Sequence, residues 1–182
     1  MHLFSYCAKR SLFGLLVLTS ASAASTSCSA EDFHVELQGG ESYMDSHGTA
    51  AAFAEVMTGE QCIGSSSVYW QPVASLGWID KRDIAHYDFT RYTTRHDAEL
   101  VAGGTRFHYG DAMSWYRPLF FGFSVAYNQQ ATRALSSHYE FMSTLGWQGR
   151  HFSLQLRHIS NGGLHDPNRG ETMALAGVGF TL

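Results

Sequence analysis

Apolar and polar residues alternate one by one along most of the chain after residue 31. The clearest examples are the segments DFHVELQ at 32–38 and HFSLQLRHIS at 151–160. Successive side chains of a β-strand point to opposite faces, so this alternation predicts strands with one apolar and one polar face. We therefore expect an all-β protein.

Eight segments of this kind follow one another, separated by polar stretches such as RYTTRHD and NQQATR. The predicted strands cover 32–38, 49–57, 65–79, 97–109, 115–127, 134–148, 151–160 and 171–182, with the division of 80–97 left open. Eight alternating segments of about ten residues are typical of a small antiparallel transmembrane β-barrel of the bacterial outer membrane. A secreted soluble sandwich or a lipocalin-like barrel would alternate as well, and remains the alternative.

The last segment favours the membrane form. Ala174, Ala176, Val178, Phe180 and Leu182 form an apolar alternation up to the final residue. This alternation resembles the carboxyl-terminal assembly signal of outer-membrane barrels, with Leu182 in place of the usual terminal aromatic residue. The abundant Trp and Tyr residues suit the aromatic girdles of such barrels.

The composition restricts the class of partner. At 182 residues, of which 45% are hydrophobic and 15% charged, the chain is one domain's worth of protein. The formal net charge of −4 and the lack of a basic stripe argue against nucleic acid as a partner. Beyond residue 31 no apolar window approaches the roughly 20 residues that a membrane-spanning helix needs.

The amino-terminal segment has a different pattern. Two basic residues, Lys9 and Arg10, precede a short apolar run and the small-residue stretch TSASAAS. This order is typical of a secretory signal peptide, which we place at 1–23, with cleavage as late as Ala30 as the alternative. The β-barrel domain then covers 31–182.

Cysteines contribute little to the expected fold. Cys28 and Cys62 both enter an oxidising compartment if cleavage is early, and pairing between them is left open. No cysteine spacing typical of a metal site is present, so no metal is expected.

The chemistry of the chain is concentrated after the seventh predicted strand. His158 and Ser160 have the parity of the apolar positions of 151–160, so both side chains should project to the same face. An imidazole beside a serine hydroxyl is the base and nucleophile of many esterases, and a carboxylate usually orients the imidazole. Glu171, at the start of the last predicted strand, is the candidate acid, and Asp166 competes with it.

The parity of Glu171 raises a difficulty for this assignment. Counted back from Leu182 and Phe180, a regular strand turns Glu171 to the opposite face, away from His158. A β-bulge near Gly170, or strand pairing that starts later, would bring the carboxylate back.

The turn before Glu171 contains groups that could stabilise an oxyanion. Gly162 and Gly163 can present amide hydrogens, and Asn161 and Asn168 supply side-chain donors. The same residue types are also ordinary in a barrel hairpin, so a purely structural role stays open.

The sequence RHISNGG, followed by PNRGE and a short terminal strand, resembles the lipid A 3-O-deacylase family of Gram-negative outer membranes. The specific part of this resemblance covers about 25 residues at the carboxyl end, and the rest of the chain agrees in length, signal and strand pattern. The resemblance implies an eight-stranded barrel with a Ser-His-Glu triad on its outer surface. It also implies hydrolysis of the ester-linked acyl chain at the 3-position of lipid A, without a metal or an organic cofactor.

Residue by residue, the resemblance implies Ser160 as the nucleophile, His158 as the general base and Glu171 as the orienting acid. The other implied members are oxyanion donors or supporting groups of the turn: Asn168, the backbone of Gly163, and Asn161. The expected partners are lipid A or lipopolysaccharide and outer-membrane lipid, and a homodimer is left open.

Two alternative functions remain at this point. One is an outer-membrane phospholipase or acyltransferase that uses the same serine. The other is a non-catalytic structural barrel in which His158 and Ser160 are girdle residues. Arg157 and Arg169 flank the site and are candidates either for contact with lipid A phosphates or for charges of the lumen and loop.

Overall fold

The computed structural model describes residues 32–87 and 91–182. These residues form nine strands: β1 (His34–Met44), β2 (His47–Met57), β3 (Gln61–Cys62), β4 (Val68–Ile79), β5 (Ala98–Tyr109), β6 (Leu119–Asn128), β7 (Tyr139–Gln148), β8 (Phe152–Ser160) and β9 (Glu171–Thr181). In the segment 80–97 the described residues contain no strand, only the 3-10 turn Ala85–Tyr87. No helix in the described part of the chain is long and apolar enough to cross a membrane.

The eight long strands close into an antiparallel barrel. Sequence neighbours pair along the sheet, β1 pairs with β9, and β2 pairs with β4 to complete the circle. The two-residue β3 adds to β4 at one end, where Gln61 lies opposite Trp70. Because a closed sheet leaves no long strand with an unpaired edge, the backbone polar groups are satisfied within the barrel. The predicted all-β, eight-stranded barrel is confirmed.

The two faces of the barrel wall differ in chemistry. The exposed residues of β8 are Phe152, Leu154, Leu156 and His158, and the buried ones are Ser153, Gln155, Arg157 and Ile159. The outward residues of β6 are Leu119, Phe121, Phe123, Val125 and Tyr127. The outer face is therefore largely apolar and much of the interior is polar, which is the arrangement of a barrel that meets lipid on its outside.

A network of charged side chains fills part of the interior. The carboxylate of Glu55 accepts hydrogen bonds from Arg157 at 2.7 Å, from Gln38 at 2.6 Å, and from Arg106. Arg106 also lies 3.5 Å from Glu36. Two buried acids thus face two buried arginines, and their charges compensate each other where water is scarce.

Arg157 belongs to this interior network. Its side chain is 1% exposed and its guanidinium lies 4.4 Å from the ring centre of Phe53. The suggestion that Arg157 contacts lipid phosphates is therefore wrong, because alternation along β8 turns it into the barrel.

The strand connections lie at two opposite ends of the barrel. One end carries the β4–β5, β6–β7 and β8–β9 loops and the short β1–β2 turn. We call it the loop end, and it contains the carboxyl end of β8 and the start of β9. The start of β1 and the end of β9 lie at the other end.

Two sequence-based expectations fall outside the residues that the structure describes. The signal peptide at 1–23 is one of them. Cys62 is disulfide-bonded, but whether Cys28 is its partner also concerns residues beyond the described range.

Candidate active site

The end of β8 places His158 and Ser160 on the outer surface of the barrel. Ile159 between them is fully buried, whereas His158 is exposed and Ser160 is half-buried. Because alternate residues of a strand share a face, the imidazole and the hydroxyl project to the same side. The expected base and nucleophile are therefore neighbours on one surface.

The neighbouring strands put a hydroxyl on each side of His158. In the sheet register Ser143 of β7 and Thr172 of β9 lie opposite His158. The Nδ1 atom of His158 lies 2.9 Å from the Oγ1 atom of Thr172. This hydrogen bond uses one ring nitrogen and leaves Nε2 as the atom that can accept a proton from a nucleophile.

Gly170 shows in which direction the free edge of the imidazole points. A Cβ atom at Gly170 would lie 2.9 Å from Cε1 and 3.4 Å from Nε2 of His158. Gly170 directly precedes β9, so the Cε1–Nε2 edge faces the loop end. Ser160 lies on that side of His158, two residues further along β8, whereas Ser143 lies beside His158 on β7. The free edge of the imidazole therefore points toward the end of β8 that carries Ser160, and no hydrogen bond between His158 and Ser160 is present among the described residues.

Glu171 points into the barrel and does not contact His158. Its carboxylate accepts hydrogen bonds from Nη1 of Arg82 at 2.6 Å, from Nη2 of Arg82 at 2.8 Å and from the hydroxyl of Ser42 at 2.6 Å. Glu171 pairs with Ile159 in a regular ladder, and both side chains are buried. The expected contact between Glu171 and His158 is therefore not made, because β9 starts without a bulge that would reverse its parity.

Asp166, the competing acid, is also not joined to His158. It is exposed in the β8–β9 loop, and no hydrogen bond or ion pair between the two is found among the described residues. Within residues 32–87 and 91–182, no group of three or more His, Cys, Asp or Glu side chains could hold a metal ion.

Asn161 organises the β8–β9 loop from within. Its side chain is fully buried and donates to the hydroxyl of Ser136 at 3.0 Å and to the carbonyl of His165 at 2.9 Å. The Oδ1 atom of Asn161 accepts the backbone N–H of Gly163 at 2.9 Å. The amide hydrogen of Gly163 is thus already bonded, so the expectation that it serves as an oxyanion donor is not met.

Asn168 is better placed for that role. Its Oδ1 atom accepts the backbone N–H of Asn161 at 3.0 Å, and its own backbone N–H donates to Ser136 at 3.2 Å. Because the carbonyl oxygen of the side chain faces the end of β8, the Nδ2 group is the part left for another acceptor. Asn168 is half-buried, beside the outward end of β8.

Three residues of this region were not identified from the sequence: Ser136, Thr172 and Arg82. Thr172 shares the parity of Phe180 and Leu182, so the alternation of β9 already placed it outward. Ser136 and Arg82 come from the β6–β7 and β4–β5 loops, and nothing in a loop sequence indicates which distant residues it will contact.

The surface around Ser160 is apolar. Phe141 lies opposite Ser160 in the register of β7 and β8, and its ring stacks on Phe123 with centroids 6.1 Å apart. Tyr127 and Tyr139 form a second aromatic pair nearer the loop end, at 5.7 Å. These aromatic rings give the wall beside Ser160 an apolar surface.

A closed antiparallel barrel with a largely apolar outer wall defines a β-barrel of the membrane type, and His158 and Ser160 lie on that wall at the end of β8. The family model described as Lipid A 3-O-deacylase (PagL) matches residues 67–181. The chain therefore belongs to the lipid A 3-O-deacylase family, a family of outer-membrane barrels, and the resemblance seen in the sequence is confirmed. No curated protein and no solved structure matches the chain.

Proposed function

We propose that this protein removes the ester-linked acyl chain at the 3-position of lipid A, with Ser160 as the nucleophile and His158 as the general base. The observation that carries the proposal is the outward imidazole of His158, whose free edge faces the loop end beside Ser160, in a chain of the lipid A 3-O-deacylase family. The proposed location is the outer membrane, with the site facing the lipid.

The reaction proceeds in two steps. Nε2 of His158 takes the hydroxyl proton of Ser160 while the Ser160 oxygen attacks the ester carbonyl, and the same proton then passes to the sugar oxygen as that bond breaks. The 3-hydroxyl of lipid A leaves and the acyl chain remains on Ser160. His158 next takes a proton from water as the water oxygen attacks the acyl-enzyme. The bond between the acyl carbon and the Ser160 oxygen then breaks, His158 returns its proton to Ser160, and the fatty acid is released.

Asn168 is proposed to stabilise the oxyanion that forms in both steps. Its Nδ2 group is held near the end of β8 by the hydrogen bond between its Oδ1 and Asn161. Loss of one such donor typically raises the barrier by about 3 kcal/mol. Gly163 instead supports the loop by donating its N–H to Asn161, as described above.

The substrate is proposed to reach the site sideways, within the leaflet. Lipid A has hydrocarbon chains that can lie against the apolar wall formed by Phe141 and its neighbours on β6 and β7. Its ester then comes level with Ser160 at the end of β8. Such access explains why the nucleophile projects from the outside of the barrel.

The proposal is tested by the lipid A of Gram-negative cells that express the protein. We expect mass spectrometry to show the loss of one ester-linked 3-position acyl chain relative to cells with an empty vector, and the free fatty acid to appear. Unchanged lipid A with new lysophospholipid would identify a phospholipase instead. If neither lipid changes although the folded barrel is present in the membrane, the catalytic proposal is wrong.

Gly170→Ala is expected to lower deacylation by about 100-fold, because small displacements of a catalytic group have effects of this size. The new Cβ would lie 2.9 Å from the His158 ring, and the φ of 71° at this position is strained for alanine. The rate with lipid A in detergent micelles is the measurement.

Gly64→Ala is the matched control for backbone strain. Gly64 also has a positive φ, 58°, but no atom lies within 4 Å of the position that its Cβ would take, and it belongs to the opposite end of the barrel. This variant should keep wild-type activity. Equal losses in the two variants would show that strain, and not the contact with His158, is responsible.

A further inference from the structure

We infer that Thr172 is the positioning residue of His158, so that a neutral hydroxyl orients the base where a carboxylate was expected. This role deepens the proposed function and rests on it for its kinetic consequence. The contact itself rests only on the pairing of β8 with β9.

The contact between Thr172 and His158 is part of the sheet. β8 and β9 pair without interruption from Phe152 to Ile159 of β8, and His158 faces Thr172 within this ladder. The Nδ1 and Oγ1 atoms are 2.9 Å apart on the outer face. Because a β-branched side chain has few rotamers on a strand, the hydroxyl is held at the imidazole by the strand and not by a loop.

The carboxylates of Glu171 on β9 and Glu41 on β1 are directed away from His158. Glu171 is bonded to Arg82 on the inner face. Glu41 lies on the outer face of β1, but its carboxylate accepts the hydroxyl of Tyr43 at 2.6 Å. The Glu41 carboxylate also lies against Gly48 of β2, where a Cβ atom would be 2.6 Å from its Oε1. Strand β2 flanks β1 on the side opposite to β9, so this carboxylate is directed away from β9.

The other neighbours of His158 do not replace a carboxylate. Ser143 faces it from β7 and Ser160 follows it on β8, and both are neutral. The charged or titratable side chains of the adjoining loop are exposed: His165, Asp166 and Arg169.

A threonine hydroxyl can do part of what a carboxylate does. When the threonine oxygen accepts a hydrogen bond from Nδ1–H, it stabilises the tautomer whose Nε2 lone pair can take the proton of Ser160. Unlike a carboxylate, it carries no charge to stabilise the imidazolium, and it can also donate to Nδ1, which selects the inactive tautomer. A carboxylate at position 172 should therefore raise the basicity of His158. It should also raise the fraction of molecules in which His158 has the active tautomer.

Glu171 takes an indirect part in this arrangement. Its bonds to Arg82 and Ser42 anchor the first residue of β9 on the inner face. The next residue, Thr172, must then point outward, toward His158. Removal of the Glu171 charge should loosen this end of β9 without adding or removing a charge at the imidazole.

The first measurement is structural and independent of turnover. The purified full barrel is labelled with ¹⁵N-histidine in detergent micelles, and the His158 signals are assigned by their loss in His158→Asn. We expect Thr172→Val to move the ¹⁵N signals of the His158 ring to the values of a mixture of tautomers. Thr172→Ser should retain the wild-type signals. Unchanged His158 signals in Thr172→Val would overturn the inference.

The second measurement is the pH profile of kcat/KM with lipid A. Thr172→Val should lower kcat by up to about 100-fold with little change in KM, and Thr172→Ser should restore most of it. Thr172→Glu should move the acidic limb of the profile to higher pH, because a carboxylate favours the protonated imidazole. Glu171→Gln should leave that limb in place, and a shift of the limb in Glu171→Gln would return the orienting role to Glu171.

Thr181→Val is the matched control. Thr181 makes the same kind of contact, with its Oγ1 3.2 Å from Nδ1 of His34, at the opposite end of the barrel. It should keep wild-type kinetics, and a loss equal to that of Thr172→Val would overturn the positioning role.

The two proposals fail in different ways. If the wild-type protein does not deacylate lipid A but Thr172→Val still changes the tautomer of His158, the proposed function is wrong and the contact stands. If the wild type deacylates and Thr172→Val changes neither the signals nor the rate, the positioning role is wrong and the function stands.

Discussion

Ser160→Ala is expected to abolish deacylation of lipid A, with a fall in kcat of at least about 1,000-fold. Alanine removes the oxygen that forms the acyl-enzyme, and the remaining groups can only bind the substrate and polarise its carbonyl. The barrel should still fold, because Ser160 is half-buried at the last position of β8 and the strand is held by its backbone pairing with β7 and β9. The release of the fatty acid from lipid A in micelles is the measurement.

Ser143→Ala is the control for this prediction. Ser143 lies opposite His158 across β7 and β8, on the same outer face, and a serine hydroxyl there is the competing nucleophile. We expect this variant to keep most of its activity, because the free edge of the imidazole faces the loop end. If Ser143→Ala were inactive and Ser160→Ala active, Ser143 and not Ser160 would be the nucleophile.

Glu55→Gln is expected to lower the free energy of unfolding by about 3–5 kcal/mol, the usual effect of removing one partner of a buried ion pair. Its carboxylate is 2% exposed and is bonded to both Arg157 and Arg106. Without the Glu55 charge, Arg106 keeps Glu36 at 3.5 Å, whereas Arg157 loses the carboxylate with which it forms its ion pair. Urea unfolding of the barrel in lipid vesicles is the measurement.

Asp83→Asn is the control for burial. Asp83 lies 2.8 Å from Arg95, and the two side chains are 83% and 50% exposed. An exposed ion pair contributes at most about 1 kcal/mol, so this variant should unfold close to the wild type. Equal losses in the two variants would contradict the view that the interior network stabilises the barrel.

The interior and the outer site are connected through the loop end. Arg82, from the β4–β5 loop, anchors Glu171 from inside the barrel, and Ser136, from the β6–β7 loop, bonds the β8–β9 loop. Two loops thus support the short stretch in which β8 ends and β9 begins. His158 and Ser160 therefore lie on a strand end that is held by hydrogen bonds from neighbouring loops.

The sequence alone determined the strand architecture and the common face of His158 and Ser160. Alternation is a local property, because each residue of a strand points opposite to its neighbour, and it therefore located all eight long strands. The same rule predicted that His158 and Ser160 share a face, and it indicated that Glu171 would turn inward in a regular strand.

Only the tertiary structure decided which groups meet across strands and loops. The partner of His158 is Thr172 because of the register of β8 and β9, and register depends on the pairing of whole strands. The partner of Glu171 is Arg82, which lies in a loop 89 residues earlier in the chain. Contacts of this kind depend on how the barrel closes, and no local pattern in the sequence contains that information.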